Sequence, residues 1–443
     1  MKKTKYLMPL LLSCLLAPLA VLAQVTPDST AGRLTLEQCV EFALKNQAQV
    51  QQAQLDEEIG ERQIKAQLSG WLPQVTAQFA AVRNIQRPRF VIGNEVITTG
   101  QNYTSNLNLQ ANQTLYSNDL LLASRAARFT RSSLDLNTKA TKINTVVDVS
   151  KAFYNILLSQ EQLRILEENI ARQEKQYRDA RAQYEQGLVD KTDYQRASIT
   201  LNSIRSDRKR TQEAIKASTA LLQELMGLPV GAPLTLAYDY NQMQQNILVD
   251  TTQNVTFANR VEFQQIQVQR QIQGLNTSFY RFGFLPTASI YGNYNPQFFS
   301  SELSSLYNNI YPTSQVGLQV GIPIFQGGRR LQNVRISRLQ EDRLSIDLQN
   351  LQRRINTEYQ SALASYKSDY NDWITLQSNV QLAEEVYNVI KLQYNEGIKT
   401  YLELIVAETD LRTAQLNYYN ALYNVLSSKL EVQRALGTIP VNQ

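Results

Sequence analysis

Histidine is absent from this 443-residue sequence, and cysteine occurs only at Cys14 and Cys39. Zinc and copper sites draw first on these side chains and on methionine, which beyond the amino-terminal segment occurs only as Met226 and Met243. A Ser/His or Cys/His nucleophile pair cannot be assembled without histidine. Carboxylate or lysine chemistry remains open by composition, yet no phosphate loop, metal cluster or paired-carboxylate motif calls for it. No enzyme activity, cofactor or metal is therefore expected. The sequence instead repeats one turn, Tyr184-Glu185-Gln186-Gly187 and Tyr394-Asn395-Glu396-Gly397. A glycine at the end of a helical run permits a left-handed stop. Here each stop is followed by apolar residues, Leu188 and Val189 in the first turn and Ile398 in the second. An apolar tip costs solubility unless something covers it.

The elements that carry these turns belong to an exported chain. Lys2, Lys3 and Lys5 precede an apolar run from Leu7 to Leu22, and Val21 and Ala23 suit signal peptidase, so residues 1–23 read as a signal peptide. A rival reading takes Leu11-Leu12-Ser13-Cys14 as a lipoprotein box with Cys14 acylated. The apolar run continues past Cys14, which favours cleavage before Gln24. Loss of three lysines lowers the formal net charge from +5 to +2, so no nucleic-acid partner is implied. Cys39 then stands alone, and no internal disulfide can form.

Glycine and proline show the organisation. Neither occurs from Asn118 to Gln186 or from Arg329 to Glu396, and either segment as one helix would be about 100 Å long. Shorter stretches without them run from Leu188 to Met226, Ile398 to Leu436, Arg33 to Ile59 and Asn241 to Gln273. An internal repeat at an offset of about 210 residues ties them together: Leu166, Ile170, Tyr177, Ala180, Tyr184 and Gly187 match Leu376, Val380, Tyr387, Ile390, Tyr394 and Gly397. Gly70-Trp71-Leu72-Pro73 likewise matches Gly283-Phe284-Leu285-Pro286. Residues 24–232 and 233–443 thus read as two structural repeats, each a helix, two strands, a very long helix and a further helix.

Within the second long helix, Leu376, Val380, Ala383, Tyr387, Ile390 and Tyr394 follow coiled-coil spacing. Leu382, Val386 and Val389 form a second, offset stripe, as a helix with neighbours on two sides requires. Outside the signal no apolar run approaches a membrane-spanning helix. Strands offer the other route across a bilayer. From Ser314 to Phe325, Val316, Leu318, Val320 and Ile322 alternate with Gln315, Gly317, Gln319 and Gly321, the apolar-out, polar-in pattern of a barrel wall. Tyr103 to Ala111, Pro286 to Asn295 and Gln74 to Arg83 give three more candidates. Segments Asn84 to Asn102 and Pro296 to Thr313 should be outward loops. Phe298, Phe299, Tyr307 and Tyr311 suit either an aromatic girdle or core packing. Four strands per chain are too few to enclose a pore, so the chain must oligomerise.

Taken with Leu34-Thr35-Leu36-Glu37, Ala43-Leu44-Lys45-Asn46 and Gly321-Ile322-Pro323-Ile324-Phe325-Gln326-Gly327-Gly328, these motifs resemble the TolC-like outer-membrane efflux proteins from Leu34 to Gly437. The resemblance implies a mainly α fold with a small antiparallel β part: a homotrimer with a 12-stranded transmembrane β-barrel in outer-membrane lipid, continued by a periplasmic α-helical barrel. It implies an exit duct for efflux or type I secretion, served by a periplasmic adaptor and an inner-membrane transporter of the RND or ABC type. Adaptor docking falls on Gly187, Leu188, Val189, Gly397 and Ile398. The periplasmic gate falls on Asp193 and Glu403, six residues after each glycine, with Tyr394 and Lys399 as latch residues bonded to carboxylates such as Asp193. Val406 departs from the family pattern, since many relatives carry an acid there. A periplasmic adaptor is the alternative. It should show one coiled-coil hairpin flanked by compact β modules, where this sequence has two hairpins and repeated strand pairs.

Overall fold

The computed structural model describes residues 33–229, 231–237, 243–244 and 247–441. The expected signal peptide and Cys14 lie outside the described residues. Thr35 starts the first helix with a capping box: its hydroxyl accepts from the Gln38 amide while the Gln38 side chain accepts from the Thr35 amide. That helix, α1 (Leu36–Asn46), gives way to α2 (Ala48–Leu68) at Gln47, whose extended backbone breaks the helical run. The single helix expected here is therefore two.

Strand β1 (Gln74–Arg83) follows, then the short strands β2 (Arg89–Ile92) and β3 (Glu95–Thr98), then β4 (Tyr103–Tyr116). The segment expected to be an open loop thus holds its own antiparallel hairpin, β2 with β3. Beyond β4, α3 (Asn118–Glu185) runs for 68 residues and α4 (Lys191–Met226) returns beside it. The second half has α5 (Val261–Arg281), β5 (Thr287–Ser300), β6 (Tyr311–Gly321), the 67-residue α6 (Arg329–Asn395) and α7 (Tyr401–Leu436). At 1.5 Å per residue α3 and α6 each extend about 100 Å.

The main sheet has four antiparallel strands in the order β1-β4-β5-β6. β5 and β6 reach further than the alternation predicted, because Pro296 pairs with Pro312 and Gln297 with Tyr311. β6 stops earlier, at Gly321. Pro323 has no amide hydrogen to continue a ladder, and Ile322, Ile324 and Phe325 stand exposed beyond it. The core lies where helices cross. Cys39, Phe153, Ile156, Leu222 and Met226 join α1, α3 and α4, while Tyr359, Tyr366, Leu422, Val425 and Leu426 join α6 and α7. Burial pushes the Cys39 thiol up to about 12, leaving it a small apolar filler and not a nucleophile.

Candidate functional site: a two-faced sheet and two helical tips

Side chains alternate across a strand, so register decides which residues share a face. Ala77 pairs with Leu109 and Leu109 with Tyr294; Ala111 pairs with Gly292 and Gly292 with Val316; Ile290 pairs with Leu318. The opposite face aligns Gln78 with Asn108, Gln110 with Asn293, and Asn293 with Gln315. One face is aliphatic and the other is amide and hydroxyl. Phe79, Leu109, Val316 and Leu318 stand exposed on the aliphatic face, a surface too large and continuous to be left to water. Across all four strands the only charged side chain is Arg83, near the outer end. Among the described residues no helix is long and apolar enough to cross a membrane.

At the outer end the aromatic residues pair off. Tyr307 meets Phe298 edge-on at 5.1 Å and its hydroxyl reaches Ser105 Oγ at 3.3 Å, folding the β5–β6 loop over the aliphatic face. Phe299 and Tyr311 pack at 5.7 Å on the polar side.

At the other end of the helices lie two turns of one geometry. Gly187 (φ 74°) donates its amide to Tyr184 and Leu188 donates to Gln183; Gly397 (φ 71°) donates to Tyr394 and Ile398 donates to Gln393. This double bond closes the helix end and thrusts the next side chain outward. Leu188 is 70% exposed and Ile398 71%, while Val189 is half-buried.

The expected gate residues gather here, with one difference of partner. Lys399 Nζ sits 2.6 Å from Glu403 Oε1 within the same tip, and not on Asp193. Glu403 also caps α7: it accepts from the Thr400 amide at 2.9 Å and hydroxyl at 3.0 Å. The Lys399 hydrogen bond, and then those from Thr400, hold its carboxyl down at about 2. Asp193, in the first turn of α4, has no ion pair among the described residues. Tyr394 packs 6.0 Å from Tyr401, and burial first, then the charges of Asp179 and Asp193, raise its hydroxyl above the ordinary value.

One group lies outside the expected site. Glu408, in the second turn after Tyr401, is 3% exposed. It accepts from Arg172 Nε at 3.1 Å, Gln173 Nε2 at 2.6 Å and Gln176 Nε2 at 2.8 Å, so α7 of the second hairpin is pinned to α3 of the first. Arg172 also donates to Asn169 Oδ1 at 2.8 Å and lies 6.0 Å from the Tyr387 ring centre. Its sequence neighbours look like ordinary helix-surface polar residues, and only the crossing of α3 and α7 buries it.

A sheet whose one charged side chain, Arg83, lies near its outer end, with one lipid-compatible face and set on long helical hairpins, defines a subunit of an outer-membrane channel. The outer membrane efflux protein family model matches residues 40–228 and 254–438, and the chain belongs to that family. It is similar to the proteases secretion protein PrtF of Dickeya chrysanthemi, at 23% identity covering 90% of this chain and 87% of that one. It is also similar to the outer membrane protein TolC of Vibrio cholerae, at 20% identity covering 96% and 95%. Its fold matches the crystal structure of the Campylobacter jejuni CmeC outer membrane channel with a TM-score of 0.75, at 18% identity over 92% of this chain and 87% of that one. The protein is thus an outer-membrane transport component whose helices extend into the periplasm.

Proposed function

We propose that this chain forms the outer-membrane exit duct of a tripartite efflux or type I secretion system, as a homotrimer. The observation that carries this reading is the sheet. Its four strands have one aliphatic and one polar face, and the outer strands β1 and β6 each leave an edge unpaired. Unpaired backbone groups cannot face hydrocarbon. Closing the edges against other copies removes the cost, and three copies of the four strands supply twelve, an even number as bacterial barrels have. The polar faces of Gln78, Asn108, Asn293 and Gln315 then line a water-filled lumen.

Residues 24–232 and 233–443 act as two repeats of one unit, supported by the two turns of equal geometry at Gly187 and Gly397. A passive tube has no energy source in the outer membrane, so it must be engaged by a periplasmic adaptor and an inner-membrane transporter of the RND or ABC type. Gly187, Leu188, Val189, Gly397 and Ile398 offer the docking surface, since the exposed Leu188 and Ile398 need a cover. Asp193, Tyr394, Lys399 and Glu403 form the periplasmic gate. In the resting state Lys399 holds Glu403 within its own tip, and docking releases it. The test is native mass spectrometry of the detergent-extracted protein together with planar-bilayer recording. A mass of three chains with discrete conductance steps supports the reading; a monomer without conductance contradicts it.

A further inference from the structure

The junction where strands become helices carries a charge pattern that the duct reading leaves unused. Between Asn118 and Leu134, between Arg270 and Leu285 and between Gly321 and Gln340 the only acid is Asp119, whereas arginines recur throughout. Further along the helices several arginines are paired, as Arg131 is with Glu61, Arg343 with Asp347 and Arg354 with Glu358. Arg125, Arg128, Arg281, Arg329 and Arg330 have no ion pair among the described residues. Three of them lie against rings: Arg128 is 4.5 Å from the Phe129 centre, Arg281 5.8 Å from Phe282 and Arg330 5.3 Å from Phe284. Phe282 and Phe284 are themselves exposed. Unpaired guanidinium groups beside exposed rings, below the aliphatic face of the sheet, complement an anionic membrane surface.

One groove concentrates this pattern. The first turns of α3 and the last turns of α5 enclose about 320 Å³, lined by Leu121, Leu122, Leu275 and Phe279, with Arg125 on its wall and Tyr116 at its upper end. Asn118 Nδ2 donates to the Phe279 carbonyl at 2.9 Å and fixes the two helices that form it. Tyr116 connects the groove to the lipid face, because it pairs with Ala288 and Ala288 pairs with Val320 on that face. The groove lies below β4 and β5, the central strands, away from the two open sheet edges.

We propose that this groove seats one anionic phospholipid from the inner leaflet of the outer membrane, an acyl chain along Leu122, Leu275 and Phe279 and the phosphate on Arg125. The aliphatic and aromatic part of the lining, Leu121, Leu122, Leu275 and Phe279, offers an acyl chain a contact that a free anion could not use. The open, membrane-level mouth excludes a soluble peptide. The bound lipid fixes the height of the sheet against the periplasmic membrane surface.

Native mass spectrometry of the full detergent-extracted protein tests this with added phosphatidylglycerol, phosphatidylcholine or inorganic phosphate. The expected result is preferential retention of phosphatidylglycerol, roughly tenfold weakened by Arg125→Gln, as loss of one charge-assisted contact implies. Arg125→Lys should retain most of the preference. Ser278→Trp, which fills the groove, should remove both lipids, with the thermal unfolding of each variant recorded to show that the fold persists. Equal retention of the two lipids by the unaltered protein, unchanged retention in Arg125→Gln, or displacement of the lipid by inorganic phosphate would overturn the proposal.

Discussion

The two hairpin tips share a turn and differ in their polar ties. Both long helices end in a left-handed glycine with the same pair of backbone bonds, and both expose one large aliphatic side chain to nearly the same extent. The second tip is tied to itself through Thr400, Glu403 and Lys399. The first has Asp190 as its cap, accepting from the Thr192 amide at 2.8 Å, and leaves Asp193 without an ion pair among the described residues. The contrast continues along the helices. Glu408 in α7 is buried among Arg172, Gln173 and Gln176, whereas at the 210-residue offset its counterpart is Ser198, and Leu382 and Ala383 replace Arg172 and Gln173. Shape is common to the two hairpins and suits a docking surface that repeats. The Lys399–Glu403–Thr400 tie has no counterpart at Asp193 in the first tip and suits a part that is held and released.

The strongest way to break this comparison is to remove its buried member. Glu408→Ala leaves Arg172 facing a buried vacancy and should destabilise the chain by about 3 kcal/mol, whereas Ser198→Ala should cost well under about 1 kcal/mol. Denaturant unfolding of both variants measures the difference, and equal costs would erase the asymmetry. The glycines test the shared half. Ala at Gly187 or Gly397 would meet no atom within 4 Å, so only the backbone conformation is penalised. Each change should cost about 1–2 kcal/mol, and a large difference between them would show that the turns are not equivalent.

Conductance sharpens the gating half. Lys399→Ala with Tyr394→Phe should raise single-channel conductance several-fold in planar bilayers, while Asp190→Ala in the first tip should leave it within the spread of the unaltered channel. An unchanged double variant would remove the latch role. Acid has the smallest effect. The Glu403 carboxyl is depressed from 4.5 to about 2, so its contribution is complete above the unfolded value and is lost as pH falls through that interval. The protection factors of the Thr400 and Glu403 amides, with the intrinsic pH dependence of exchange divided out, should therefore be flat from neutrality to about pH 5 and fall only below it. Loss of protection near neutrality would contradict the pairing.

Much of the architecture was legible because it rests on local rules. The long helices show as runs without glycine or proline, the tips as glycine stops, and β1 and the body of β4, β5 and β6 as alternation. Two features that sequence reasoning did not place follow from pairing between distant segments. Pro296 reads as a loop residue, yet it pairs with Pro312 near the end of the sheet. Helix-surface spacing alone cannot distinguish Glu408 from solvated acids, since its partners lie more than 230 residues away. The resemblance predicts Lys399 on carboxylates such as Asp193; its partner in the structure is the carboxylate one turn on, Glu403. The unpaired arginines below the sheet were visible as an imbalance of charge in the flanking segments. Their proximity to exposed rings required the fold.

The central claim, that the tips are where this duct meets its engine, is tested most directly by photo-crosslinking in living cells from a probe at Leu188 or Ile398, with the captured protein identified by mass spectrometry. Capture of a periplasmic adaptor from both positions is the predicted result. Capture of only other copies of this chain would contradict it.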